Sequence, residues 1–236
     1  MIRIVSLVGK PGAGKSTLAQ YLEIYHGWKR ISTGEILRQE ALKDTENGRF
    51  IKKILDAGEY APTNLMLKII AEHLENLYST DKYEQTVILD GFPRTKDQCG
   101  AIEFMVRKYN LPVSLFIVVR LAGLSDEDLY NRVSRRLVCS NPNCGKVYAN
   151  TGVIEKCQCG NELVLREDDS FELFSKRMGI FKCYEDQIIA YYKHFGRLYE
   201  INASKSTALQ AAEIRFILWT ADADPMCRDF SDKFEN

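Results

Sequence analysis

Two stretches of the chain carry residue types at spacings that do recognisable chemistry. Gly9-Lys10-Pro11-Gly12-Ala13-Gly14-Lys15-Ser16-Thr17 matches G-x-x-x-x-G-K-[ST]. Glycines in that pattern let consecutive backbone N–H groups turn inward around a phosphate, the lysine reaches the β and γ phosphates, and the hydroxyl serves Mg²⁺ or a phosphate oxygen. The second stretch gathers Cys139, Cys144, Cys157 and Cys159 as C-x4-C-x12-C-x-C. Four soft thiolates in a short, core-poor segment can supply the tetrahedral set of a structural Zn²⁺. A reduced cluster, a three-cysteine site and an oxidised pair are the alternatives. Cys99, Cys183 and Cys227 stand apart and read as packing or incidental thiols.

A phosphate loop works only between a strand and a helix. Ile2 to Val8 is a short, mostly apolar run that reads as a strand buried on both faces. Lys15 to His26 offers Leu18, Ala19, Leu22 and Tyr25 at helical spacing. Thr86 to Leu89, Val113 to Val119 and Arg197 to Asn202 repeat the strand pattern, with helices expected over Asn64 to Tyr78, Lys96 to Tyr109 and Thr207 to Trp219. Strands alternating with helices predict an α/β fold with a parallel sheet. Residues 33 to about 62, helical and polar, and 137 to 165, rich in Cys, Gly, Asn and Pro, break that alternation and read as insertions into one core. From Asp222 the chain carries Asp222, Asp224, Asp229, Asp232 and Glu235 with few apolar residues, so a frayed tail is expected.

Composition narrows the class. The 236 residues are 45% hydrophobic, which excludes a wholly disordered chain, and 32 basic residues balance 32 acidic ones. Neutrality gives no global attraction to nucleic acid or anionic membrane, so a polyanion site must be a local cluster of Lys and Arg. No apolar run approaches the roughly 20 residues a spanning helix needs. Met1-Ile2-Arg3 leads straight into the first strand without a signal peptide, so a cytoplasmic enzyme with reduced or metal-bound thiols is expected.

Three further segments follow the phosphate loop in order: Ile31-Ser32-Thr33-Gly34-Glu35-Ile36-Leu37-Arg38, Leu89-Asp90-Gly91-Phe92-Pro93-Arg94-Thr95 with Gln98, and Arg166-Glu167-Asp168-Asp169 with Arg177. Together with the loop they resemble the adenylate kinase family, over about residues 2 to 218. The resemblance implies a P-loop core (residues 1–32, 63–136 and 174–236), a helical monophosphate-binding insertion (33–62) and a small β-rich lid (137–173) that carries the zinc-type cysteines. It implies transfer of the terminal phosphoryl group from ATP to AMP, with Mg²⁺, giving two ADP. Gly12, Ala13, Gly14, Lys15, Ser16 and Thr17 would hold the donor phosphates, with Arg132, Arg136, Arg166 and Arg177 closing over them. Val147, Tyr148 and the backbone of Lys205 would meet the donor base. Thr33, Arg38, Gly58, Ala61, Gly91, Arg94 and Gln98 would form the AMP pocket, with Arg166 and Arg177 reaching the same phosphates. Asp90, with Ser16, would orient Mg²⁺ through water.

The chemistry agrees with that assignment. Phosphoryl transfer between nucleotides is mostly positioning and cationic stabilisation, and guanidinium forks suit phosphate. The attacking oxygen belongs to a phosphate whose second pKa is near 6, so no general base is needed, and His26, His73 and His194 read as ordinary structural or surface residues. Thr33, Thr95 and Gln98 match the family's adenine-using members, so the resemblance implies AMP, and a hydroxyl and an amide can both pair with the edge of adenine. The chain departs from the family twice. Both cysteine knuckles have unusual spacing, and Arg135 occupies a position where relatives have glycine, leaving Arg135 or Arg136 as the phosphate-facing lid residue and implying a stiffer hinge. A kinase for another monophosphate, or one using GTP, is the nearest rival. A zinc ribbon docking a partner or nucleic acid is the more distant one, disfavoured because the only basic or aromatic residues between the cysteines are Lys146, Lys156 and Tyr148, set against Glu155. The partners expected are ATP, AMP and ADP, with no nucleic acid or membrane, and the protein is expected to be a monomer.

Overall fold

In a computed structural model, residues 1–80, 84–141, 144–150, 152–166, 169–224 and 227 are described. Five parallel strands form the central sheet in the order β2-β3-β1-β4-β8: β1 (Ile2–Val8), β2 (Lys29–Ser32), β3 (Gln85–Asp90), β4 (Val113–Ala122) and β8 (Leu198–Asn202). Side chains alternate across each strand, and the two faces feed two separate cores. Ile4, Val87, Leu89, Phe116 and Val118 pack on one face with Ile70, Ile102 and Tyr192. Val5, Leu7, Ile88, Leu115 and Ile117 pack on the other with Leu18, Leu22, Leu129 and Ile214. These strands carry near-continuous apolar runs because helices cover both faces.

The helices are α1 (Lys15–His26), α2 (Thr33–Ala41), α3 (Glu46–Asp56), α4 (Thr63–Thr80), α5 (Ala101–Lys108), α6 (Asp126–Ser134), α7 (Phe171–His194) and α8 (Thr207–Ala221). Gly27 ends α1 in the left-handed region, where its N–H reaches the carbonyl of Glu23 at 3.2 Å. The Ser125 hydroxyl and the Asp128 carboxylate cap α6 reciprocally.

Between β2 and α4 the chain forms only α2 and α3, with Leu37 and Ile51 buried in the first core. Between α6 and α7 it forms a separate antiparallel sheet of β5 (Arg136–Cys139), β6 (Val147–Ala149) and β7 (Leu163–Leu165), in the order β6-β5-β7. The α/β class and its parallel sheet are as the sequence predicts.

Several boundaries differ. The helix expected over Lys96 to Tyr109 is a single 3₁₀ turn at Lys96–Gln98 followed by α5, because Gly100 takes a positive φ of 75°. Strand β2 and the long α7 carry no expectation from the sequence. Arg197 precedes β8 instead of opening it, and is buried against Glu103, Nη1 to Oε1 at 2.8 Å. Tyr25 is 66% exposed and stacks on Tyr21, 4.5 Å between ring centroids, so it lies outside the core. The tail departs from a fully frayed one: Cys227 is buried beside the Tyr199 hydroxyl and the Gly196 carbonyl. Asp229, Asp232 and Glu235 lie outside the described residues, as do Glu167 and Asp168.

Candidate active site

The loop between β1 and α1 is built as its glycines require. Gly12 has φ 85°, and a Cβ there would come 2.6 Å from the Leu129 carbonyl oxygen, so α6 packs too closely for a side chain. Lys15 Nζ donates to the carbonyls of Gly9 at 2.6 Å and Lys10 at 2.9 Å. Burial of the ammonium pushes Lys15 down to about 7. Asp90 opposes that shift, and the neighbouring Arg94, Arg136 and Arg177 reinforce it. An ammonium buried beside Arg94, Arg136 and Arg177 is short of negative charge, as a site awaiting polyphosphate should be.

Two cavities meet at Lys15 and Ser16. The first is lined by Thr33, Arg38, Gly58, Ala61, Gly91, Arg94, Gln98, Arg166 and Arg177, together with Asp90 and Arg136. The second is lined by Gly12, Ala13, Gly14, Thr17, Arg132, Val147, Tyr148 and Lys205, again with Arg136. The candidate residues of the sequence thus divide into two adjoining sets, and His26, His73 and His194 line neither.

In the first cavity Arg94 is held from three sides. Its Nε donates to the Gly91 carbonyl at 2.7 Å, its backbone N–H to Gln98 Oε1 at 2.7 Å, and its guanidinium lies 5.3 Å from the Tyr60 ring centroid. Gln98 Oε1 is therefore engaged by the backbone, and its amide N–H groups remain to read a base edge. The Thr33 hydroxyl donates to the carbonyls of Asp90 at 3.1 Å and Gly91 at 3.2 Å, so its proton ties β3 to α2. Burial raises the Tyr60 phenol, keeping it neutral as the wall behind Arg94.

In the second cavity Arg132 Nη1 donates to the Ala203 carbonyl at 3.2 Å, and Gln210 Nε2 holds the carbonyls of Ala203 at 3.3 Å and Lys205 at 2.7 Å. Arg136 lines both cavities, whereas Arg135 lines only the second, and the geometry favours Arg136 at the point where they meet. Arg135 itself sits at φ −105° and ψ 9°, a conformation any residue adopts, so the glycine of relatives is not needed there.

Tyr60, in the Gly58 to Pro62 stretch expected to line this pocket, is its aromatic wall. Sequence reasoning missed the roles of two residues here. Asp169, closing the Arg166 to Asp169 segment, binds both Arg136 and Arg177. Gln20 is buried on the apolar face of α1, and a buried polar residue in such a stripe was the available signal.

The four cysteines of the small sheet lie with all Sγ atoms within 4.8 Å of one another. Sγ pairs at 3.4 Å (Cys139 and Cys159) and 3.5 Å (Cys144 and Cys157) are close to the spacing of a tetrahedron with metal–sulfur bonds of about 2.3 Å. A second layer of donors faces the sulfurs. The Asn141 N–H reaches Cys139 Sγ at 3.4 Å, the Asn161 amide reaches Cys159 Sγ at 3.4 Å, and the Tyr148 hydroxyl lies 3.3 Å from Cys157 Sγ. Hydrogen bonds from the Asn161 backbone and side chain pull the Cys159 thiol down to about 6. The set fits a soft tetrahedral cation despite its irregular sequence spacing.

A family model described as Adenylate kinase matches residues 7–197. The adenylate kinase of Archaeoglobus fulgidus is 35% identical over 216 residues, covering 89% of this chain and 95% of the relative. Those of Petrotoga mobilis (34% identical, 89% and 94% covered) and Chloroherpeton thalassium (34% identical, 92% and 98% covered) are similar to nearly the same extent.

Proposed function

We propose how the site works from one premise: the chain belongs to the adenylate kinase family. It is a nucleoside monophosphate kinase, a phosphotransferase that moves the terminal phosphoryl group of ATP to AMP and yields two ADP. The single observation that carries the residue-level reading is the convergence of Lys15, Arg94, Arg136, Arg166 and Arg177 on one cavity, which adjoins a second cavity at the phosphate loop.

In this reading AMP occupies the first cavity. Arg38 and Arg94 grip its phosphate, Gln98 donates to the adenine edge, and Gly58, Ala61 and Tyr60 wall the ring. ATP occupies the second, with Gly12 to Thr17 around its phosphates, Arg132 at its side, and Val147, Tyr148 and the Lys205 backbone at its base. Lys15, Arg136, Arg166 and Arg177 then surround the oxygens of the group in transit, where charge spreads in the transition state. Ser16 and Asp90 are the residues that would hold Mg²⁺, which supplies charge neutralisation on the phosphates when bound. Residues 33–62 and 137–173 act as a monophosphate-binding insertion and a closing lid, and closure excludes water that would otherwise accept the phosphoryl group.

Cys139, Cys144, Cys157 and Cys159 would hold Zn²⁺ as a structural ion, which would stiffen the lid. Among the described residues no helix is long and apolar enough to cross a membrane. We place the enzyme in the cytoplasm as a monomer.

Coupled assays with AMP, CMP, UMP and GMP as acceptors, and with ATP or GTP as donor, test the reading. ATP with AMP should give at least a tenfold higher kcat/KM than any other pair. A higher value for another acceptor would reassign the first cavity.

A further inference from the structure

Strand β6 lies at the edge of the small sheet. The Cys139 N–H bonds the Lys146 carbonyl at 3.1 Å and the Asn150 N–H bonds the Arg135 carbonyl at 2.9 Å, so Lys146 and Asn150 direct backbone groups to the β5 side. By alternation, Gly145 and Val147 direct theirs outward, as unpaired edge groups that ask for a partner.

Gln20 provides that partner from the core. Its Nε2 donates to the Gly145 carbonyl at 2.7 Å, and its Oε1 accepts from the Val147 N–H at 3.3 Å. A primary amide carries donor and acceptor side by side, so one side chain takes the place of a neighbouring strand's peptide group. Gln20 is only 8% exposed and sits on α1 among Leu18, Ala19 and Leu22. The helix that opens at the phosphate loop therefore also holds the cysteine-bearing sheet.

The same turn meets α2. A Cβ on Gly145, which has φ 61°, would come 2.5 Å from Glu35 Oε2. Glu35 is itself fixed by Arg30, Nη1 to Oε1 at 2.7 Å, and Arg30 reaches Glu23 of α1 at 3.2 Å. The turn at Gly145 is thus lodged against both the phosphate-loop helix and the first helix of the 33–62 insertion. The positive φ favours glycine there, and a Cβ would also displace the Glu35 carboxylate from its present place.

We propose that Gln20 is a positioning residue that latches the lid onto α1 through the open edge of β6. The latch holds Val147 and Tyr148 over the donor cavity and helps set the balance between closed and open lid. The inference rests on the reading of residues 137–173 as a closing lid. Losing two hydrogen bonds of ordinary net strength should lower the closed-to-open ratio about tenfold.

The test is Gln20→Leu, similar in volume and without polar atoms, and Gln20→Glu, which keeps an acceptor for Val147 but turns an oxygen toward the Gly145 carbonyl. Backbone hydrogen exchange on the zinc-loaded, nucleotide-free protein reads the latch directly. The Val147 amide should exchange about tenfold faster in Gln20→Leu, and by a smaller factor in Gln20→Glu, which keeps its acceptor. The Cys139 and Asn150 amides, bonded within the lid and its hinge, should keep their rates. In the coupled assay, KM for ATP should rise severalfold while kcat does not fall. Unchanged Val147 exchange in Gln20→Leu would overturn the proposal, and equal acceleration at Cys139 and Asn150 would overturn it in favour of a loosened lid fold. Absence of ADP formation by the wild type would defeat the kinase reading instead, and the exchange measurement would still decide the latch.

Discussion

The Asp169 carboxylate grips Arg136 through two hydrogen bonds, Nε to Oδ2 at 2.7 Å and Nη2 to Oδ1, and the same Oδ1 accepts from Arg177 Nη2 at 3.0 Å. One anion, 5% exposed, thereby fixes two arginines that come from separate elements, β5 of the small sheet and α7. Left alone, these cations would repel each other across the phosphate path. The planar fork of Arg136 donates to both carboxylate oxygens, which sets the orientation of the guanidinium as well as its position.

Asp169→Asn should release that arrangement. The neutral side chain keeps the shape but loses the charge that holds the arginines together, and misplacement by about 1 Å is worth about a hundredfold in rate when positioning dominates catalysis. We expect kcat at saturating ATP and AMP to fall 10- to 100-fold, with little change in zinc content. Asp169→Glu should recover part of the loss. An unaltered kcat would assign Asp169 to folding alone.

Arg94 offers a cleaner loss. It projects from the turn after β3 into the first cavity, held by the Gly91 carbonyl and stacked beside Tyr60. Removing one cationic donor from such a site costs about 10²- to 10³-fold in kcat. Arg94→Ala should suppress AMP-dependent ADP formation by that factor and leave the melting temperature within a few degrees. Retained activity would remove Arg94 from the phosphate site.

Much of this was legible in the sequence because periodicity and special backbone needs write themselves into residue types. The strand-glycine-helix succession from Ile2 to His26 reports a buried strand and a phosphate loop with no tertiary information. Arg38 and Arg94 were legible only in company, since a lone arginine reads as solvated charge. Asp169 and Gln20 were not legible because their roles come from partners 33 and 125 residues away. Lys96 to Tyr109 misled because Gly100 interrupts an otherwise helical pattern with a left-handed turn. Strand β2, four residues with only Ile31 and Ser32 buried, is too short for a periodicity signal.

The cysteine set makes a metal prediction that does not depend on catalysis. The Sγ atoms already lie at near-tetrahedral spacing, with the Asn141 and Asn161 donors in place around them. Purified protein should carry about one zinc per chain, and a strong chelator should lower the melting temperature, because binding energy at a structural site is folding energy. Cys139→Ser combined with Cys144→Ser should abolish the zinc content. Equal zinc in the variant and the wild type would defeat the four-cysteine site.

Lys15 makes the last prediction, and the sign follows from its depressed value. Burial and three arginines hold the folded lysine near 7, against 10.5 in the unfolded chain. Between those values the unfolded chain binds the extra proton, so stability of the nucleotide-free protein rises with pH from about 7 toward 10.5. It is lost again as pH falls through 7. Comparing denaturant midpoints at pH 7 and 9 with those of Lys15→Met isolates this group, and the wild type should gain on the variant at the higher pH. Polyphosphate reverses the imbalance by placing anions against the ammonium. ATP binding at pH 8 should therefore take up about one proton, measured by calorimetry in two buffers of different ionisation enthalpy. Binding without proton uptake would mean that Lys15 is already charged in the free enzyme, and that the arginines around it are screened by something other than the nucleotide.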